Sequence, residues 1–147
     1  MKRIAIASML TLLFAFTFAL VGSAEMTTKR WEKTVTLPTG EVILDMSGEW
    51  DVQIEYYGDY RGLPSDTLTV AITQAGNTFL AVRQTATPWW PKGTEAIKGE
   101  LDTGGFKTVH FNKADKGWTP CTWEISENGN KLVLDDGRVF TATLTRR

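Results

Sequence analysis

Alternation of apolar and polar side chains with a period of two dominates the chain after residue 45. The clearest example is the segment 49–57, in which Trp50, Val52 and Ile54 share one face and the intervening residues are polar or acidic. One apolar and one polar face are typical of an antiparallel sheet with one solvated side. No helical stripe of apolar residues is found in this part of the chain, so the pattern predicts an all-β fold.

Eight segments carry the alternation, and short turn signals such as Asp136-Gly137 separate most of them. They cover residues 49–57, 67–74, 78–84, 96–102, 106–112, 119–126, 131–134 and 138–145. Local hairpins between consecutive strands predict a single antiparallel up-and-down meander of about eight strands. An open sheet of this size exposes two edges, so we expect it to close, or nearly close, into a barrel rather than to form a sandwich.

The N-terminal residues follow a different pattern. Lys2 and Arg3 precede an apolar run over residues 4–21, and Gly22-Ser23-Ala24 then supplies small residues, which is typical of a cleaved export signal. An uncleaved membrane anchor is the alternative, which the polar residues within the run disfavour. We therefore expect 1–24 to be removed, 25–44 to form an N-terminal segment with a short β element, and 45–147 to form the barrel domain. The mature protein is expected to be exported, periplasmic or secreted, and not integral to a membrane.

Charge and cysteine content narrow the classes of partner and chemistry. The chain has 16 Lys+Arg against 17 Asp+Glu, and loss of Lys2 and Arg3 with the leader would make it more acidic. This balance argues against nucleic acid or an anionic membrane as the main partner. Cys121 is the only cysteine and His110 the only histidine, so an internal disulfide and a histidine-rich metal site are excluded. We expect no metal and no cofactor.

Few residues suggest catalysis. His110 alternates with Val109 and Phe111, which places it on the solvated face, and Cys121 has the parity of an interior position, which suggests a small buried hydrophobe. Arg83 and Glu100 lie within predicted strands, and the direction of their side chains stays open. If both pointed inward, a small barrel enzyme would gain support. We expect instead that the protein is not an enzyme.

An aromatic loop is the strongest candidate for a binding site. In Pro88-Trp89-Trp90-Pro91, adjacent residues of an extended segment cannot both face inward, so at least one indole is expected to be exposed or to fold over a barrel mouth. The alternative is that both rings cap the core. Loops on a regular scaffold often carry function. The candidate ligand-binding residues, all aromatic and all in or beside long loops, are Tyr57, Tyr60, Trp89, Trp90 and Trp118.

The start of the first long strand, Gly48-Glu49-Trp50, resembles the Gly-x-Trp signature of the calycins, the group that contains lipocalins and avidins. The resemblance implies a barrel in which Trp50 plugs the closed end and a basic residue of the last strand, here Arg146, packs over it. Other lipocalin motifs are missing and the chain is shorter than a typical lipocalin. The resemblance therefore implies an architecture and no particular ligand.

Three functions are compatible with these features. The leading hypothesis is an exported, non-enzymatic protein that holds a small apolar or amphipathic molecule in its barrel. A second is a periplasmic protein-binding module or inhibitor that uses the Trp89-Trp90 loop. A third is a small barrel enzyme.

Overall fold

The computed structural model describes residues 31–113 and 117–147. The predicted export signal, residues 1–24, lies outside them. Within the described residues the secondary structure is almost entirely β. The strands are β1 (Thr34–Thr36), β2 (Val42–Leu44), β3 (Gly48–Tyr56), β4 (Asp66–Ala75), β5 (Thr78–Arg83), β6 (Glu95–Asp102), β7 (Gly105–Lys113), β8 (Gly117–Pro120), β9 (Thr122–Ile125), β10 (Lys131–Asp135) and β11 (Phe140–Arg146). A 3₁₀ turn, Gly58–Tyr60, follows β3.

Strands β3 to β11 form one antiparallel sheet. Its order is β8-β7-β6-β5-β4-β3-β11-β10-β9, so almost every strand pairs with its neighbours in sequence, and β11 returns to pair with β3. The sheet curls into a nearly closed barrel of nine strands. The expected all-β, up-and-down antiparallel barrel is therefore confirmed.

The two ends of this sheet are consecutive segments of chain, which explains how the barrel nearly closes. Strand β8 pairs with β7, whereas β9, after a break at Cys121, pairs with β10. The Cys121 N–H donates to the Val109 carbonyl of β7 at 3.0 Å. The sequence predicted one uninterrupted strand over 119–126, and this was wrong. Pro120 has no N–H to donate within the ladder, and the chain changes its partner from β7 to β10 one residue later, after Cys121.

One end of the barrel is closed by Trp50. Its side chain is fully buried, and its indole N–H donates to the Met46 carbonyl at 2.9 Å. The Arg146 guanidinium carbon lies 4.3 Å from the centre of the Trp50 ring, which is the contact that the calycin resemblance implied. Gly48 has a φ of +118°, a conformation that residues other than glycine rarely adopt. The backbone conformation therefore explains why glycine occupies the first position of Gly-x-Trp.

Arg146 also ties this end to the segment before the barrel. It donates to the Asn130 Oδ1 at 3.0 Å, to the Ser47 carbonyl at 2.9 Å and to the Asp45 carbonyl. The small β1–β2 hairpin precedes these carbonyls and pairs through Val35 and Ile43. It lies within the segment where the sequence predicted a short β element.

Apolar side chains fill most of the interior. The inward positions of the strands are buried, as the alternation predicted; they include Val52, Leu68, Val70, Ile72, Phe79, Leu101, Phe106, Leu134, Ala142 and Leu144. Close packing of these side chains leaves little free space between them. The open space lies at the other end of the barrel, where β3, β5 and β7 end and β4 and β11 begin.

Candidate functional site

A cavity of about 290 Å³ opens at the barrel mouth opposite Trp50. Its wall is predominantly apolar, and its volume is at the lower end of the roughly 300–1,000 Å³ found for ligand sites. The strands contribute Ile54, Tyr56, Asp66, Leu68, Arg83, Phe111, Asn112, Lys113 and Phe140, and the connecting segments contribute Tyr60, Leu63, Thr87, Trp89, Trp90 and Val139. We call this space the mouth cavity.

The Trp89-Trp90 loop forms one side of the mouth. A tight turn holds it, because the Thr87 N–H donates to the Trp90 carbonyl at 2.8 Å and the Trp90 N–H donates to the Thr87 Oγ1 at 3.1 Å. The two indoles differ sharply in environment. Trp89 is 63% exposed, whereas Trp90 is half-buried. Trp90 packs against Arg83, whose guanidinium carbon lies 4.9 Å from the centre of the Trp90 ring. The expectation that at least one indole would be exposed or lie over the mouth is confirmed.

The segment after β3 forms the facing side. Tyr60 and Leu63 line the cavity, and the rings of Tyr56 and Tyr60 meet edge to face with centroids 6.4 Å apart. The Tyr56 hydroxyl donates to the Asp66 Oδ2 at 2.7 Å. Burial and this hydrogen bond raise the pKa of Tyr56, so its phenol stays protonated and keeps its donor directed at Asp66.

Two cations, Arg83 and Lys113, line the cavity although their side chains are almost fully buried. Lys113 forms an ion pair, with its Nζ 2.7 Å from the Asp136 Oδ2. Arg83 donates instead to uncharged oxygens: the Thr94 Oγ1 at 3.4 Å, the Asn112 carbonyl at 3.0 Å and the Glu95 carbonyl. Burial lowers the pKa of Arg83 to about 10, which still leaves the guanidinium charged at neutral pH.

The structure brings together three of the five predicted ligand-binding residues. Tyr60, Trp89 and Trp90 line the mouth cavity. Tyr57 does not, because its hydroxyl donates to the Asp135 Oδ1 at 2.6 Å; this hydrogen bond, with burial, raises the pKa of Tyr57 to about 12. Trp118 is also outside the cavity wall, and the Lys98 ammonium lies 4.3 Å from its ring centre.

The chemical candidates from the sequence lie away from the cavity. His110 and Cys121 are half-buried and neither belongs to the cavity wall; burial raises the pKa of the Cys121 thiol to about 11, so it is a poor nucleophile at neutral pH. Arg83 points inward, but the Glu100 side chain is 41% exposed and pairs with Lys107. The inward Arg83–Glu100 arrangement that would have supported an enzyme is therefore not present.

The charged residues of the cavity wall were not predicted from the sequence, although alternation could have identified three of them. Arg83 continues the inward series of Phe79 and Ala81, and Lys113 continues that of Val109 and Phe111. A cation with inward parity at the end of a strand is a usable signal for a barrel mouth. Asp66 has the same inward parity, because it precedes Leu68 and Val70 at the start of β4. Its contact with Tyr56 depends on the register between β3 and β4, which alternation alone does not specify.

Neither a metal site nor a membrane-spanning helix is found in the part of the chain that the structure describes. Across residues 31–113 and 117–147, no three His, Cys, Asp or Glu side chains come close enough together to hold a metal ion. The same residues include no helix with the length and apolar character needed to cross a membrane.

Comparison with protein families, with curated proteins and with solved structures finds no match to this chain.

Proposed function

We propose that the protein is an exported, non-enzymatic binding protein that holds a small apolar or amphipathic molecule in the mouth cavity. The observation that carries the proposal is the cavity itself, a concave apolar space with a few polar groups at one end of an otherwise packed barrel. Export is inferred from the sequence of the leader, and kinship with the calycins from Gly48, Trp50 and Arg146.

The geometry limits the kind of ligand. Because side chains fill the rest of the interior, a ligand would sit at the mouth rather than along the barrel axis. A volume of about 290 Å³ suits an alkyl chain of medium length or two to three rings. The exposed indole of Trp89 at the rim offers a rigid apolar surface that loses little entropy on binding.

Blocking the mouth is expected to abolish binding of an apolar probe. Leu63 lines the cavity and is 47% exposed, so Leu63→Trp places a larger ring across the opening at little cost to the fold. Titration with N-phenyl-1-naphthylamine, followed by its fluorescence, should show saturable binding to the wild-type protein and binding at least about tenfold weaker to Leu63→Trp.

Val42→Trp is the matched control for that titration. Val42 is 50% exposed, lies on β2 and does not line the cavity, so the variant adds a ring of the same size elsewhere. It should bind the probe as the wild-type protein does. Equal probe binding by all three proteins, or none by the wild-type protein, would contradict the proposal.

A protein-binding module is the second candidate, and the 63% exposure of Trp89 favours it. Exposed tryptophan residues are frequent hot spots of protein interfaces. Of the two indoles in the loop, Trp89 is the one that a partner could contact without disturbing the barrel, because Trp90 packs on Arg83. A protein partner and a small ligand differ greatly in mass, so mass spectrometry of the native protein separates the two proposals.

A further inference from the structure

Arg83 brings a positive charge into the apolar mouth cavity, and among the residues that the structure describes it has no carboxylate as an ion-pair partner. The residue is only 2% exposed. The ion pairs formed within residues 31–113 and 117–147 do not include it. The oxygens that accept its hydrogen bonds belong to a hydroxyl and two backbone carbonyls, and the rings of Trp90 and Phe111 lie 4.9 Å and 5.9 Å from its guanidinium carbon.

The other charges of the cavity wall have partners. The Lys113 ammonium is neutralised by Asp136 at 2.7 Å. Asp66 accepts a hydrogen bond from the Tyr56 hydroxyl and is only half-buried, so water also reaches it. Arg83 differs from Lys113 in having only neutral acceptors, and from Asp66 in being deeply buried.

A buried cation of this kind favours an anion. Withdrawal of a guanidinium from water is unfavourable, and neutral carbonyls and rings compensate it only in part. An anion that enters the cavity would gain a charge-assisted hydrogen bond in a region of low dielectric constant. The planar guanidinium also matches the geometry of a carboxylate.

We propose that the ligand is an anionic amphiphile whose carboxylate pairs with Arg83 and whose apolar chain, of medium length, lies against Ile54, Leu68 and Phe140. This inference rests on the proposed function and adds the charge of the ligand to it. The small volume of the cavity selects a medium-length alkyl or aryl chain over a long one.

Three probes with the same alkyl chain test the charge preference: decanoate, decanol and decylamine. Each is used below its critical micelle concentration to displace N-phenyl-1-naphthylamine at neutral pH. Decanoate is expected to compete about tenfold better than decanol, and decylamine less well than either. In Arg83→Met the preference for decanoate over decanol should disappear while decanol binding persists.

Arg61→Met is the matched control, because Arg61 is an exposed cation in the segment that carries Tyr60 and Leu63. It should keep the decanoate preference of the wild-type protein, since an exposed charge is screened by water and salt. Loss of the preference in Arg61→Met as well would assign it to general electrostatics and overturn the role of Arg83.

The remaining outcomes separate this inference from the proposed function. Decanol or decylamine competing as well as decanoate would overturn the inference and leave the apolar site intact, whereas a wild-type protein that does not bind the naphthylamine probe would reject both. If Arg83→Met fails to fold, NMR of the wild-type protein decides. The Arg83 Nε–Hε resonance should shift with decanoate and not with decanol, and an unshifted resonance would overturn the pairing.

Discussion

Replacement of Asp136 by asparagine is expected to destabilise the barrel by about 3–5 kcal/mol, since it leaves a buried cation unpaired. The Lys113 Nζ lies 2.7 Å from the Asp136 Oδ2, and the two side chains are 8% and 0% exposed. Asparagine keeps an oxygen for the N–H groups of Arg138, Val139 and Phe140, which now donate to the Asp136 Oδ1. The variant therefore isolates the loss of charge, and urea unfolding measures it.

Glu100→Gln is the surface counterpart of this change. The Glu100–Lys107 pair is longer, at 3.7 Å, and its side chains are 41% and 66% exposed. Its loss should cost less than about 1 kcal/mol. The double variant Lys113→Met, Asp136→Asn should recover much of the stability, because it removes the unpaired charge. An Asp136→Asn variant as stable as Glu100→Gln would show that the buried pair contributes little.

The Asp136 carboxylate also makes the stability of the folded barrel depend on pH in the acid range. Burial alone would raise the pKa of Asp136, but hydrogen bonds from Lys113 and from the backbone N–H groups of Val139, Arg138 and Phe140 lower it from 3.8 to about 2. A lowered pKa stabilises the folded state above the unfolded value, and that contribution, about 2 kcal/mol, is lost as the pH falls from about 4 through 2. This part of the acid loss should be absent from Asp136→Asn.

Truncation of Trp50 to alanine is expected to cost about 3–5 kcal/mol, the range for a large aromatic residue in a packed core. Trp50 is fully buried at the closed end. Its loss leaves a cavity, removes the donor to the Met46 carbonyl and takes away the ring that lies 4.3 Å from the Arg146 guanidinium. Thermal and urea unfolding should both report the effect.

Trp118→Ala makes the same truncation on the outer face. Trp118 is half-buried and its ring is approached by Lys98 at 4.3 Å, a contact worth about 1 kcal/mol at an exposed site. Its loss should therefore be several-fold less destabilising. If Trp50→Ala and Trp118→Ala lowered the free energy of unfolding equally, the closed end would not depend on the Trp50 plug.

Alternation predicted the barrel because one inner and one outer face repeat on nearly every strand. The inward series Trp50, Val52 and Ile54 could be identified from the sequence alone, whereas the contact of Arg146 with Trp50 was implied by the resemblance to the calycins. Pro120 marks a position where a strand can be interrupted, but the change of partner strand at Cys121 could not be predicted from the sequence. It depends on which neighbour each half of the segment pairs with, and that is set by closure of the whole sheet.

The residues of the candidate site were only partly predictable for a similar reason. Trp89 and Trp90 stand out because two prolines hold adjacent indoles in a loop, and both line the mouth. Tyr57 and Trp118 were selected as aromatic residues in or beside long loops, which says nothing about direction; one faces Asp135 and the other faces Lys98. The direction of the Arg83 side chain was left open, although Arg83 has the same parity as the inward residues Phe79 and Ala81.

We propose that the protein, after export, carries a small molecule in its mouth cavity. The most direct test is native mass spectrometry of the protein purified from the cell envelope, where the proposed export would place it, followed by mass spectrometry of a denaturing extract. We expect a mass excess of one small acidic amphiphile, recovered in the extract and missing from Leu63→Trp prepared in the same way. A bare mass for the wild-type protein, or a mass excess that Leu63→Trp retains in full, would contradict the claim, and an added mass of protein size would favour the Trp89 interface instead.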